Sequence, residues 1–346
     1  MPEIRIIHHV HGVSHRGVDG ALNRRGHTHT MTTKVEHVRV ASTRRRHRVL
    51  GPQGLGPYAL VLPALVALVA FTYVPLAKSI ALSLTDSSLL RPDSGKLVGF
   101  ANYSDTLTSA SFWQVFEQTL LWTGVSVGGA VVVGVAAALL LHGARRGRPL
   151  FRGVLLLPWI APPVTSAYMW AYLYRDSGPL APIVQSLSGS PTPIDFLNDV
   201  QVSFLGATLP LWSVIQVGIW AGFPFIFLFA LAALSSVSQE VRDAAAIDGA
   251  SGLRIFWHIT LPLIAPLVET SAILLALFRL GGVDLPFLLT QGGPGNASNV
   301  LGVLIYNTAF QSFLEGQAAA LGVILFVLTL PLSVMYVRRS TRQIFG

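Results

Sequence analysis

Residues 239–266 read QEVRDAAAIDGASGLRIFWHITLPLIAP, a charged, alanine-rich island between two long apolar segments. An island of this composition belongs in water, and its alanines and unbranched side chains favour helix. The sequence predicts a short first helix over 241–247. Asp248-Gly249 ends it, because glycine takes positive φ without a steric cost. Ser251 is placed to cap a second short helix, which Pro262 terminates. The chemistry on offer is recognition, with no bond made or broken. Ala244, Ala245 and Ala246 form a small-residue face that another protein can approach closely, while Arg242, Asp243 and Asp248 set ionic anchors around it and Gly249 and Ala250 form the exit. The plainer alternative is a solvated loop that only holds two membrane segments apart.

A second group of chemically able residues lies inside the apolar segments. Glu269 and Arg279 stand where a charge costs about 2.5–3.5 kcal/mol on insertion scales, so each is expected to face protein or a watery cavity. Ten positions apart on one helix, they are too distant to pair with each other. Pairing with another helix and contact with a substrate both remain open. Trp170, Tyr172, Gln216 and Trp220 are suited to stacking on, or hydrogen-bonding, a sugar ring. Aromatic residues at span ends also serve as membrane-interface anchors, the role expected of Tyr174.

These residues need a membrane scaffold. Half of the 346 residues are apolar (52 %) and only 12 % are charged, which excludes an ordinary soluble domain. Apolar runs predict six transmembrane helices near 58–84, 118–141, 150–174, 204–234, 261–289 and 318–337. The first exceeds a signal-peptide core, so no cleaved leader is expected there. In the second, Gly128, Gly129 and Gly134 predict close helix packing. In the third, Pro158 and Pro162-Pro163 predict an interruption whose freed carbonyls need neighbours or a water-filled cavity. Pro210 and Pro224 are possible breaks in the fourth. Residues 1–57 form a basic, histidine-rich tail without apolar periodicity, expected to be disordered, and a start at Met31 would remove its first thirty residues. The irregular histidine spacing predicts no metal site. There is no cysteine, so disulfides and thiolate chemistry are excluded.

The net charge of +8 would suggest nucleic acid in a soluble protein. Here Lys and Arg concentrate in the tail, around Arg145, in the 239–262 loop and at the C-terminus, with few in the three intervening loops. That bias predicts both termini and the 239–262 loop in the cytoplasm, with membrane lipid, not nucleic acid, as the contact.

The acidic residue followed by Ala-Ala at 243–245, then Asp248-Gly249-Ala250 and Ile259-Thr260-Leu261-Pro262, resembles the EAA loop of permeases in bacterial ATP-driven (ABC) importers. Asp243 stands where that family usually has glutamate. Gly99-Phe100-Ala101-Asn102-Tyr103, the run PLFRGVLLLPWIAPPV and Gln291-Gly292-Gly293-Pro294 extend the resemblance over most of the chain beyond Gly51, closest to the maltose and glycerol-3-phosphate type. The resemblance implies an all-α polytopic fold, 58–346, with a cytoplasmic coupling helix and a sugar, oligosaccharide or polyol phosphate as cargo. It further implies a second homologous permease, two ATPase subunits and an extracytoplasmic solute-binding lipoprotein as partners in a bacterial plasma membrane. No Gly-x-x-x-x-Gly-Lys-Ser/Thr loop is present, so no cofactor is expected on this chain, and ATP and Mg belong to the partner ATPase. The absence of His-Glu-x-x-His and of paired catalytic carboxylates in a span argues against a membrane enzyme. The competing class is a secondary transporter or channel that uses Glu269 and Arg279 as ion or substrate groups.

Overall fold

A computed structural model describes residues 56–143, 146–189 and 194–345. The expectations for the histidine-rich tail, apart from its last residues, and for Arg145 lie outside the described residues. From position 61 onward the chain forms one compact unit.

Apolar runs become helices because a lipid-facing backbone must satisfy its own hydrogen bonds. α1 (Gly56–Leu68) passes through a π-helical turn at Val69–Tyr73 into α2 (Val74–Leu82). A connecting loop then leads to α3 (Ala101–Thr108) and the long α4 (Ala110–Gly143). α5 (Arg148–Ile160) and α6 (Pro163–Leu173) meet at 94°. The predicted third span is thus broken where Pro162-Pro163 stands, since proline removes a donor and crowds the preceding turn. α7 (Leu180–Ser188) and a hairpin of β1 (Ser203–Phe204) and β2 (Ala207–Thr208) precede α8 (Leu209–Ser236). Then come α9 (Gln239–Ile247), α10 (Gly252–Ile255), a π-turn at Phe256–Thr260 and α11 (Leu261–Gly281). α12 (Asp284–Thr290), α13 (Leu301–Tyr306) and α14 (Glu315–Phe345) complete the order. Among the described residues, five helical stretches are long and apolar enough to cross a membrane, and the bent α5–α6 pair makes a sixth if it is counted as one span.

Three boundary expectations are corrected. Pro224 lies inside α8 without ending it, and Pro210 sits in that helix's first turn, where its missing N–H costs little. The fifth span stops at Gly281 instead of running to 289, and Asp284 begins a separate helix. Pro262 ends nothing, because it occupies the first turn of α11 and the chain is helical throughout Gly252–Gly281.

The core lies where α4 packs on α8, with Ala130, Ala138, Ile226, Phe227 and Ala230 buried between them. A Cβ on Gly134 would stand 2.8 Å from the Phe223 carbonyl oxygen and 2.9 Å from the Phe227 nitrogen, so the two backbones are already in contact there. Gly129 faces the Ile219 side chain just as closely. Gly128 faces open space and takes no part in this packing, contrary to expectation.

At the end where α4 begins, the signature residues act as a clamp. Asn102 Nδ2 donates to the carbonyls of Ser83 and Thr85, each at 2.8 Å, and the Tyr103 hydroxyl lies 2.6 Å from Ser83 Oγ. Asp86 Oδ1 accepts the N–H groups of Lys96 (2.7 Å) and Gly95 (2.8 Å), and these bonds hold its carboxyl below the usual carboxylate range. A lowered folded pKa stabilises the loop above the ordinary carboxylate range, and the effect is lost as pH falls through the folded value. Exchange protection of the Gly95 and Lys96 amides is therefore expected to persist through mild acid and then collapse. Asp86→Asn is expected to weaken that protection already at neutral pH. Unchanged protection in that variant would refute the assignment.

Candidate coupling helix and translocation cavity

α9 is built by its caps. Ser238 Oγ accepts the Glu240 N–H at 3.2 Å, and Gln239 Nε2 donates to Asp243 Oδ1 at 2.8 Å one turn on. At the other end Ala250 N–H reaches the Ala245 carbonyl (3.0 Å) and Gly249 N–H the Ala246 carbonyl (3.1 Å). That pair of bonds is a Schellman closure, and it requires the left-handed residue that Gly249 supplies at φ +81°. Ser251 Oγ then accepts the Arg254 N–H at 3.4 Å to start α10.

The docking face is open. Asp243, Ala244, Asp248 and Gly249 are exposed, Ala245 and Ala250 are half-buried, and Ile247 stands 87 % exposed beside them. Arg242 departs from the expected pattern of outward anchors: its Nη1 lies 3.2 Å from His142 Nε2 and ties α9 to the end of α4. A cavity of about 740 Å³ opens beside this end, lined in part by His142, Arg148, Arg152 and Ser235. Its α5 lining, Arg148 to Leu156, stops short of Pro158 and the mid-span break.

A second cavity lies at the α5–α6 break. It has a volume of about 370 Å³ and is walled by Pro158, Trp159, Ala161 and Pro163 on one side, with Trp122, Gly222, Phe225 and Arg279 opposite. Arg279 and Trp122 hold each other twice. The guanidinium carbon sits 5.2 Å above the Trp122 ring, and the indole N–H donates to the Arg279 carbonyl at 3.2 Å. Arg279 Nη2 also donates to the Gly218 carbonyl at 2.8 Å. Gly218 and Gly222 make room for this lock. A Cβ at Gly218 would lie 2.5 Å from the Trp122 ring, and one at Gly222 would lie 3.2 Å from Arg279 Nη2.

Residues 130–343 match the family described as the binding-protein-dependent transport system inner membrane component. The chain belongs to that family. It is 36 % identical over 283 residues to a probable ABC transporter permease protein of Sinorhizobium fredii, covering 81 % of this chain and 88 % of that one. It is 30 % identical over 281 residues to the trehalose/maltose transport system permease protein MalF of Thermococcus litoralis, with 81 % and 92 % covered. The fold resembles that of a chain in the crystal structure of a bacterial alginate ABC transporter, solved with an alginate pentasaccharide-bound periplasmic protein. The TM-score is 0.66 at 22 % identity, over 83 % of this chain and 94 % of that one. The protein is an all-α, multi-pass membrane permease subunit of a binding-protein-dependent importer, a non-catalytic role. Membership sets aside the secondary-transporter alternative.

Within this permease the expected path residues separate into three places. Arg279 lines the cavity. Glu269 does not; its Oε2 lies 2.8 Å from Arg339 Nη1 on α14, so it pairs with another helix. Trp170 and Trp220 meet edge-on at 5.6 Å, in an aromatic cluster beside the cavity that includes Tyr174. The Tyr174 hydroxyl donates to Gln216 Oε1 at 2.7 Å. Tyr174 is fully buried at 1 %, which corrects its expected role as an interface anchor. Tyr172 is largely exposed and joins neither group. Sequence reasoning missed Trp122, Trp159, Gly218 and Gly222. The one available signal was the Gly-x-x-x-Gly spacing of Gly218 and Gly222 within an apolar span, a pattern that lets helices approach closely.

Proposed function

We propose that this permease forms half of the translocation path for a sugar, oligosaccharide or polyol phosphate. On this reading α9 is a coupling helix seated in a separate ATPase subunit, which supplies ATP and Mg. A second homologous permease, a second ATPase subunit and an extracytoplasmic solute-binding lipoprotein complete the importer in a bacterial plasma membrane. The observation that carries the reading is α9 itself: a capped, alanine-faced helix with its apolar Ile247 exposed, fixed by Arg242 to the transmembrane bundle and left open on its other side.

Charge distribution supports the orientation. Arg146, Arg148, Arg152, Arg254, Arg338 and Arg339 gather at the α9 end, whereas Lys78, Arg91, Lys96 and Arg175 are dispersed around the other. On this reading α9 and both termini face the cytoplasm, as such a bias favours. The names of the relatives support a saccharide cargo, since the Thermococcus litoralis protein is a trehalose/maltose permease. Described α1 side chains are exposed, which leaves that helix to lipid or to the second permease. In the transport cycle, ATP binding closes the two ATPase subunits and draws the coupling helices together. The spans then tilt and open the cavity toward the binding protein.

The chain has no cysteine, so a single introduced thiol reports cleanly. In the assembled importer, Ala244→Cys is expected to cross-link to a thiol in the groove of the ATPase subunit, from the cytoplasmic face only. Reaction only with reagents outside the cell, or no link to any ATPase, would sink the proposal.

A further inference from the structure

We infer that the cavity at the α5–α6 break is selective for a saccharide that carries an acidic group, with Arg279 as the anion contact; this deepens the sugar-importer reading and rests on it. Arg279 lacks a counter-charge among the described residues. A guanidinium has five N–H donors in a planar fork. In the structure one nitrogen, Nη2, serves the Gly218 carbonyl, and the Nε–H is buried with no acceptor. Among the described residues no carboxylate lies within ion-pair distance of it, and the ion pair observed there is Glu269–Arg339. The Trp122 face offers a cation–π contact, which leaves the charge itself in place.

The other ionisable wall residue, Asp284, does not cancel this charge. It is exposed in the first turn of α12, while Arg279 is set deeper, its Nε out of contact with solvent and its Nη2 on the Gly218 carbonyl of α8. A charge in the drier position dominates the local field. The cavity is therefore positive in effect and bordered by the exposed indole of Trp159, while Trp122 is buried beneath the guanidinium. A flat aromatic wall suits the apolar face of a sugar ring, and the fork suits a carboxylate, phosphate or sulfate group on it. A neutral sugar would leave the guanidinium charge without a counter-charge.

Arg279 is also held from behind, through its own carbonyl and ring contact to Trp122, so that the fork is preset before any cargo arrives. The requirement for glycine at 218 and 222 follows from the same lock.

The test uses the complete importer with its binding protein in proteoliposomes. The probes are a panel of neutral disaccharides, the corresponding uronate-terminated disaccharides and sugar phosphates. An acidic member is expected to be taken up in preference to its neutral counterpart by about tenfold, the discrimination of one charge-assisted contact. Arg279→Gln is expected to erase that preference, and Arg279→Lys to restore part of it. Equal or better uptake of the neutral counterparts would overturn the inference while leaving the sugar-importer reading intact. Uptake of no member of the panel would overturn that reading as well. If Arg279→Gln fails to assemble, the acid-to-neutral comparison in the unaltered importer decides alone.

Discussion

Gly249→Val is expected to leave the permease inserted and assembled but to cut solute uptake at least tenfold while ATP hydrolysis continues. At φ +81° a side chain meets the following carbonyl at a cost of about 1–2 kcal/mol, more for a β-branched residue. Open space surrounds the position, so the cost is entirely one of backbone conformation. The chain can relieve it only by leaving the left-handed region. That breaks the Ala250-to-Ala245 and Gly249-to-Ala246 bonds and lets the end of α9 unwind. On the proposed coupling role, a frayed α9 would still reach the ATPase groove but transmit less of the motion. Gly249→Asn is the control, since asparagine enters the left-handed region readily and should retain most uptake. Parallel measurement of uptake and ATP hydrolysis in proteoliposomes decides the matter; full uptake by the valine variant would remove α9 from the mechanism.

Gly134→Val is expected to have the largest effect on stability. The added carbons point at the Phe223 carbonyl oxygen and the Phe227 nitrogen, which cannot rotate away as a side chain would. α4 and α8 must then separate, and the buried contacts of Ala130, Ala138, Ile226 and Ala230 loosen together. Overpacking of this kind costs about 1–3 kcal/mol, and contact with backbone puts this site at the upper end. The same substitution at Gly128 faces open space and should fall within about 0.5 kcal/mol of no change. Thermal unfolding of the two variants in the same detergent tests the contrast. Equal losses would mean that α4 meets α8 on a different face.

The elements were legible because lipid imposes long apolar runs, and the α5–α6 break was legible because proline acts locally. The same hydropathy signal misled at Gly281-Gly282, where the apolar run continues into Leu285 and Phe287 although the helix has ended. At Pro224 and Pro262 a local rule was overridden, by neighbours that steady α8 and by a position in a helix's first turn. In the 239–262 loop the Gly249 closure and the Ser251 cap were readable, since they involve residues a few positions apart, whereas the start of α9 at Gln239 under the Ser238 cap was not anticipated. Nor was the cavity. The Arg279–Trp122 contact and the Glu269–Arg339 pair join distant parts of the sequence through helix packing, and no spacing rule connects them. Tyr174 shows the same limit: an aromatic residue at a span's end looks alike whether it meets lipid or, as here, Gln216 of the neighbouring helix.

The unbroken helical run of Gly252–Gly281 starts three residues after Gly249 and carries Arg279 in its last turn. Thirty residues at helical rise make a rod about 45 Å long. If one end is held by the proposed ATPase subunit and the other borders the proposed solute chamber, a tilt of about 5° carries the far tip ~4 Å sideways, on the scale of a helix turn. Stroke and load thus share a single lever, and stiffness along that lever sets how much of each hydrolysis event reaches the sugar.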